Sequence, residues 1–201
     1  MRILGLTGSI GMGKTTAAAM LRRLRVPVHD ADATVHALFA PGGAAVAAVD
    51  AAFPGVVKDG AVDRKALGAV VFSDSVALKR LEAIVHPLVR AAERRFLARC
   101  RRLRQSLVVL DVPLLFEGGG WKNCDKVAVV TAPAFLQAQR VLARPGMTEE
   151  RLKAILAKQM PDVEKRKRAD FVIQTGLGKA FALRRLRAAV AMMKRQDNDH
   201  G

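Results

Sequence analysis

The segment Gly8-Ser9-Ile10-Gly11-Met12-Gly13-Lys14-Thr15 limits the architecture of this chain more than anything else in it. It satisfies G-x-x-x-x-G-K-[ST] at every fixed position. The run Met1–Leu6 before it is apolar and reads as a short buried strand. After it, Ala17, Met20, Leu21 and Leu24 recur at helical spacing up to about Arg25, with Arg22 and Arg23 facing outward. A strand that enters a glycine-rich turn and leaves it as a helix is the opening unit of a parallel α/β sheet.

The residue types in that turn define its chemistry. Glycines let the backbone wrap closely and turn its N–H groups inward, making an anion nest at a helix N-terminus. Gly11, Met12, Gly13, Lys14, Thr15 and Thr16 are therefore the candidate cradle for a nucleoside triphosphate. Lys14 would reach the β- and γ-phosphates, and the Thr15 hydroxyl would ligate Mg²⁺.

The rest of the chain alternates in the same way. Val26–Val28 is read as a second strand, and Ala31–Leu38 as a helix stopped by Pro41-Gly42-Gly43. Val76–Arg104 is a long amphipathic stretch, with Leu81, Ile84, Val85, Leu88, Ala92, Phe96, Cys100 and Leu103 on one side. Pro87 lacks a donor and disfavours helical backbone at His86, which predicts a break or kink there. Leu107–Val112, Val127–Thr131 and Ala169–Ile173 read as buried parallel strands. A last helix is expected over Lys179–Lys194, with Leu183, Leu186, Val190 and Met193 as its stripe. Ala33–Ser106 is too long and too helical for a simple crossover.

Composition narrows the partners. The 201 residues suit one compact domain, and 34 basic against 18 acidic residues give a formal charge of +16. Such a charge attracts polyanions. Tyrosine is absent, however, and aromatics are only 4%, so a base-stacking platform for nucleic acid is not expected. The basic residues, dense at Lys79–Arg104, Lys165–Arg168 and Arg184–Arg195, are spread along the chain. A solvated basic surface with small phosphorylated ligands fits better. No apolar run approaches ~18 residues, so no membrane span is expected. Cys100 and Cys124 are too far apart for a C-x-x-C, which agrees with a cytoplasmic protein. No obligate protein partner is indicated.

Within phosphate-loop proteins, two classes are disfavoured. The D-x-x-G and N-K-x-D motifs of a regulatory GTPase are missing, and Asn123-Cys124-Asp125-Lys126 has the wrong order. The strand ending Leu110-Asp111-Val112-Pro113 has no carboxylate beside Asp111 to activate water, which argues against a hydrolytic motor. A small kinase needs an acceptor base and a mobile basic cover, and both have candidates. Asp30 or Asp32 could orient an acceptor hydroxyl while the other caps the following helix. Arg140, Arg144 and Arg151 lie in a helix-breaker-helix segment around Pro145-Gly146, with Thr148 as N-cap of its second half. His86 is a weaker candidate ligand.

These motifs, taken in order, resemble the dephospho-coenzyme A kinase family over nearly the whole chain. The likeness rests on Leu6–Thr16, Asp30-Ala31-Asp32, Leu81–Val89 with His86-Pro87, Asp111-Val112-Pro113-Leu114-Leu115-Phe116-Glu117, and Ala169–Ile173. Gln174-Thr175-Gly176 and Arg144-Pro145 depart from the family's usual residues. The resemblance implies a doubly wound, parallel five-stranded core (1–32, 107–137 and 161–201), a helical substrate-binding insertion (33–106) and a helical lid (138–160). It also implies transfer from ATP, with Mg²⁺, to the ribose 3′-hydroxyl of dephospho-CoA. Asp32 would then be the general base, Thr7 and Asp111 would support the cleft, Arg140 or Arg144 would serve the lid, and His86 would face substrate. Another small nucleoside or nucleotide kinase, or a basic nucleic-acid binder, is the alternative reading.

Overall fold

A computed structural model describes residues 1–72 and 74–195. In chain order, β1 (Arg2–Thr7) leads through the glycine turn into α1 (Lys14–Arg23), and β2 (Val28–Asp30) into α2 (Ala31–Phe39). Next come α3 (Val46–Ala52), β3 (Val57–Lys58), β4 (Ala61–Val62), α4 (Arg64–Val71) and α5 (Ser75–Arg102). The chain continues with β5 (Leu107–Asp111), β6 (Lys126–Thr131), α6 (Ala134–Leu142), α7 (Glu149–Ala157), α8 (Asp162–Lys167), β7 (Phe171–Gln174) and α9 (Lys179–Arg195). It divides into two compact units, residues 1–29 with 100–201, and residues 30–99.

The first unit is built on a five-stranded sheet of order β2-β5-β1-β6-β7. β1 pairs in parallel with both β5 and β6, and β6 with β7. The expected α/β class and five-stranded parallel core therefore stand. Because β1 sits between strands that lie later in the chain, its carboxyl end is where the strand order reverses, the usual ligand crevice of such sheets. The glycine turn begins there.

Strand alternation supplies the two layers. Along β6, Ala128 and Val130 join Leu4, Leu6 and Ile173 in a core with Leu21 of α1 and Leu186 of α9. Val127 and Val129 face the other way, against Leu115 and Phe116. Leu4 and Leu6 are fully buried, and such burial contributes about 2 kcal/mol per side chain. Gly5 between them is required by close approach: a Cβ there would lie 2.6 Å from Leu115 Cδ2 and 2.9 Å from Cys124 Sγ.

The second unit has its own core, in which Leu38, Phe39, Val49, Phe53, Leu67 and Val85 are buried together. Its short antiparallel β3–β4 hairpin and the helices α3 and α4 were not separately expected from the sequence. These elements are only two to eight residues long, too short for periodicity to declare them.

Four expectations need correction. α5 runs unbroken from Ser75 to Arg102 with Pro87 inside it, so there is no break at His86. Loss of one helical hydrogen bond is outweighed by packing on both sides of the proline, where Leu81, Ile84, Val85, Leu88 and Val89 join the second core. Leu103 lies past the end of that helix and is 56% exposed. The second strand is Val28–Asp30, two residues later than expected, because the Pro27 carbonyl already accepts from the Val109 N–H and the ladder starts there. Similarly, β7 begins at Phe171; Asp170 precedes it and ties in through its own N–H to the Val127 carbonyl.

Candidate active site

The turn after β1 has the backbone of an anion nest. Gly11 and Gly13 have φ of +77° and +93°, a region that side-chain-bearing residues rarely adopt. Gly13 is the residue before α1 and offers no side chain to cap it. The first turn of that helix, from Lys14 to Thr16, therefore receives no side-chain cap and presents its amides with the helix dipole behind them.

Charge is set deeper in the crevice. Lys14 Nζ lies 2.7 Å from Asp111 Oδ1 at the end of β5, with side-chain exposures of 15% and 2%. Thr7, fully buried at the end of β1, donates its hydroxyl to the Pro113 carbonyl at 2.9 Å, and the Val112 N–H donates to the Leu6 carbonyl. Two adjacent strand ends are thus tied together at the point where the lysine and carboxylate meet. Thr7, Lys14 and Asp111, all singled out from the sequence, occupy one place.

The crown of the loop is held from outside by Arg140, a candidate from the sequence in another role, and by glutamines the sequence reading missed. The Ile10 carbonyl accepts from Gln137 Nε2 at 2.8 Å, and the Ile10 N–H donates to Gln159 Oε1 at 3.1 Å. Arg140 donates to the Gly11 carbonyl at 3.3 Å and to both Oγ1 and the carbonyl of Thr175. Thr175 Oγ1 in turn donates to the Met12 carbonyl at 2.7 Å. Glutamines among arginines give no periodic or charge signal. The one available hint was Gln137 on the apolar side of α6, where it is 7% exposed.

Other candidates fall as follows. Thr148 caps α7 by accepting from the Arg151 N–H, as expected. The Arg151 guanidinium reaches the Gly146 carbonyl in the turn between α6 and α7, and Arg144 is exposed at that turn. Asp32 and His86 belong to the second unit. There Asp30 caps α2, its carboxylate accepting from the Ala33 N–H at 2.9 Å, while Asp32 is exposed in the first turn of the same helix. The division of labour between the two acids is therefore partly resolved: Asp30 is the cap. His86 is exposed on α5.

Lys165 overturns the view of Lys165–Arg168 as plain solvated surface. It is fully buried, with Nζ 2.9 Å from Glu117 Oε1. Burial pushes the Glu117 carboxyl up, but the Lys165 ammonium and the Met160 N–H, which donates at 2.8 Å, outweigh it and hold the group below its usual range. A lowered carboxyl stabilises the fold fully above the ordinary glutamate range, and that stabilisation is lost as pH falls through the folded value. Thermal midpoints taken from about pH 6 to about pH 3 should therefore fall less steeply in Glu117→Gln than in the parent protein. Equal acid slopes would remove this pair from the account.

Among the described residues no group of three or more His, Cys, Asp or Glu side chains could hold a metal ion. Thr15 carries a hydroxyl in the first turn of α1, and Asp111 a carboxylate at the end of β5. Mg²⁺ keeps several waters and leans on phosphate oxygens with only one or two protein ligands, so this sparse hard-oxygen set fits it. Beside the loop, Met12, Pro133, Phe135, Gln137, Gly176 and Leu177 help line a mostly apolar recess of about 690 Å³. Its walls suit a flat ring better than a charged tail.

A family model described as dephospho-CoA kinase matches residues 2–179. A dephospho-CoA kinase from Paramagnetospirillum magneticum is 79% identical over 194 residues, covering 96% of this chain and 92% of that protein. Among solved structures, TT1252 from Thermus thermophilus is similar at a TM-score of 0.82 and 40% identity, over 95% of this chain and 96% of that one. A dephospho-CoA kinase from Campylobacter jejuni is similar at a TM-score of 0.71 and 27% identity, over 98% and 100%.

Proposed function

The chain belongs to the dephospho-CoA kinase family, and from that premise we propose how its residues divide the transfer of a phosphoryl group from ATP to the ribose 3′-hydroxyl of dephospho-CoA. The observation that carries the reading is the glycine-cradled turn with Lys14 paired to a buried Asp111 at the switch point of the sheet.

Phosphoryl transfer through a loose transition state needs positioning and charge neutralisation more than covalent chemistry by the protein. The amides of Gly11 and of Gly13 to Thr16 hold the phosphates, the Met12 N–H being bonded to the Ser9 carbonyl within the turn, and Lys14 neutralises charge on the transferring group. Asp111 orients Lys14, and Thr7 braces the strand ends. Asp32 accepts the proton of the 3′-hydroxyl, with His86 on the substrate side. Residues 33–106 form the substrate-binding insertion, and residues 138–160 the lid. Of the lid arginines, Arg144 is the one free to travel to the γ-phosphoryl group; Arg140 has its donors on Gly11 and Thr175 and steadies the loop.

As a kinase acting on ATP the protein uses a metal ion, for which Mg²⁺ is proposed, held by Thr15 and the nucleotide's phosphates. When bound, it would neutralise charge between the β- and γ-phosphates. No helix among the described residues is long and apolar enough to cross a membrane, and a cytoplasmic location is proposed. The +16 charge suits two substrates that each carry several phosphates, without a nucleic-acid partner.

A coupled ADP-release assay tests the acceptor. Dephospho-CoA should turn over at least about 100-fold faster than free nucleosides. Excess EDTA should abolish the rate, and added Mg²⁺ should restore it. Equal rates with a nucleoside would move the acceptor assignment, and an unchanged rate in EDTA would remove the metal.

A further inference from the structure

Both backbone polar atoms of Ile10, which belong to successive peptide units, are gripped from two different places in the chain. Gln137, in α6, donates to its carbonyl; Gln159, just beyond α7, accepts from its N–H. These two residues bracket the segment 138–160 almost at its ends. The next carbonyls are held outward as well, Gly11 by Arg140 and Met12 by Thr175.

Peptide geometry turns this into a statement about the nest. In a trans peptide the C=O and the following N–H point in opposite directions, and no cis peptide occurs among the described residues. Holding the Ile10 carbonyl outward therefore aims the Gly11 N–H inward, and holding the Met12 carbonyl outward does the same for the Gly13 N–H. Donors whose direction is set beforehand need no reorganisation when charge develops.

We propose that Gln137 and Gln159 are positioning residues for phosphoryl transfer: from the two roots of the α6–α7 pair, Gln137 holds the Ile10 carbonyl and so aims the Gly11 amide, while Gln159 holds the Ile10 N–H and fixes the same residue from its other side, and together they set that pair in register with the loop. This rests on the reading of the loop as the triphosphate site. Neither glutamine touches the transferring phosphoryl group, although Gln137 also helps line the recess beside the loop. Both act through Ile10.

The two bonds have opposite polarity, and that permits a sharp test. Gln159 must accept, so Gln159→Glu keeps the bond. Gln137 must donate, so Gln137→Glu sets a carboxylate against a carbonyl oxygen. The two substitutions match in size and charge but not in burial, Gln137 being buried and Gln159 half-buried, so thermal midpoints are read beside the rates and the series at Gln159 alone separates polarity from burial. In the coupled ADP assay, Gln159→Glu should keep kcat within about threefold of the parent, whereas Gln137→Glu should lose about tenfold or more. KM for dephospho-CoA should stay within about twofold in both, with thermal midpoints within about 5 °C of the parent.

A second comparison uses one position alone. Gln159→Leu, which cannot accept, should lose about tenfold in kcat, and Gln159→Glu should restore it. This arm decides the matter should Gln137→Glu not fold. Equal loss, or no loss, in the paired glutamate variants overturns the proposal, as does equal activity of Gln159→Leu and Gln159→Glu. Lys14→Met serves as the control: if it left turnover intact, the triphosphate reading itself would fail, whatever the glutamines did.

Discussion

Lys14→Met should lower kcat/KM for ATP by about 10³-fold, the largest effect of any single substitution considered for this protein. Two consequences of one contact combine. The variant loses the cation proposed to neutralise the transferring phosphoryl group, and it takes from Asp111, 2% exposed, its 2.7 Å ion-pair partner. Breaking a buried pair from one side costs about 3 kcal/mol, because the remaining charge stays desolvated. The two contributions separate in a double variant. Lys14→Met with Asp111→Asn should recover most of the lost thermal stability, since the buried charge is gone, yet none of the lost rate. Steady-state kinetics alongside calorimetric melting would show this. A double variant that regained turnover would mean that the lysine serves Asp111 and not the nucleotide.

Asp32→Asn should reduce kcat by about 10³-fold while ATP affinity stays within a few-fold, as expected for loss of a general base that does not touch the donor. The informative comparison lies two residues away. Asp30 accepts from the Ala33 N–H as the cap of α2, so Asp30→Ala should cost about 1 kcal/mol of stability with turnover largely kept. Asp32, exposed in the first turn of that helix, should show the reverse: small effect on melting, severe effect on rate. Because the two acids share a helix terminus, a crossed pattern of this kind discriminates a base from a cap better than either variant alone. Full turnover by Asp32→Asn would dismiss it as the base.

The legibility of these sites tracks how local their physics is. The glycine turn needs only short-range information: an apolar strand, glycines where φ is positive at Gly11 and Gly13, and a lysine and threonine opening a helix. The Thr148 cap was legible for the same reason. Pro87 misled because its cost is local while its compensation is not; residues on both sides of it pack into the core of the second unit. Lys165 misled likewise. In a run of four basic residues nothing marks the one that is fully buried against Glu117, since its partner lies 48 positions earlier in the chain.

The order of residues along the chain was enough to read the α/β class, the glycine turn between strand and helix and the family, because each depends on spacings within a few turns of helix or strand. It was not enough to settle which neighbours hold the nest in shape. Gln137, Gln159 and Thr175 reach Ile10 and Met12 across 127, 149 and 163 positions of chain, and only the folded sheet brings such distant groups within a hydrogen bond. Backbone conformation answers to neighbours in sequence; the orientation of a carbonyl at a loop crown answers to neighbours in space.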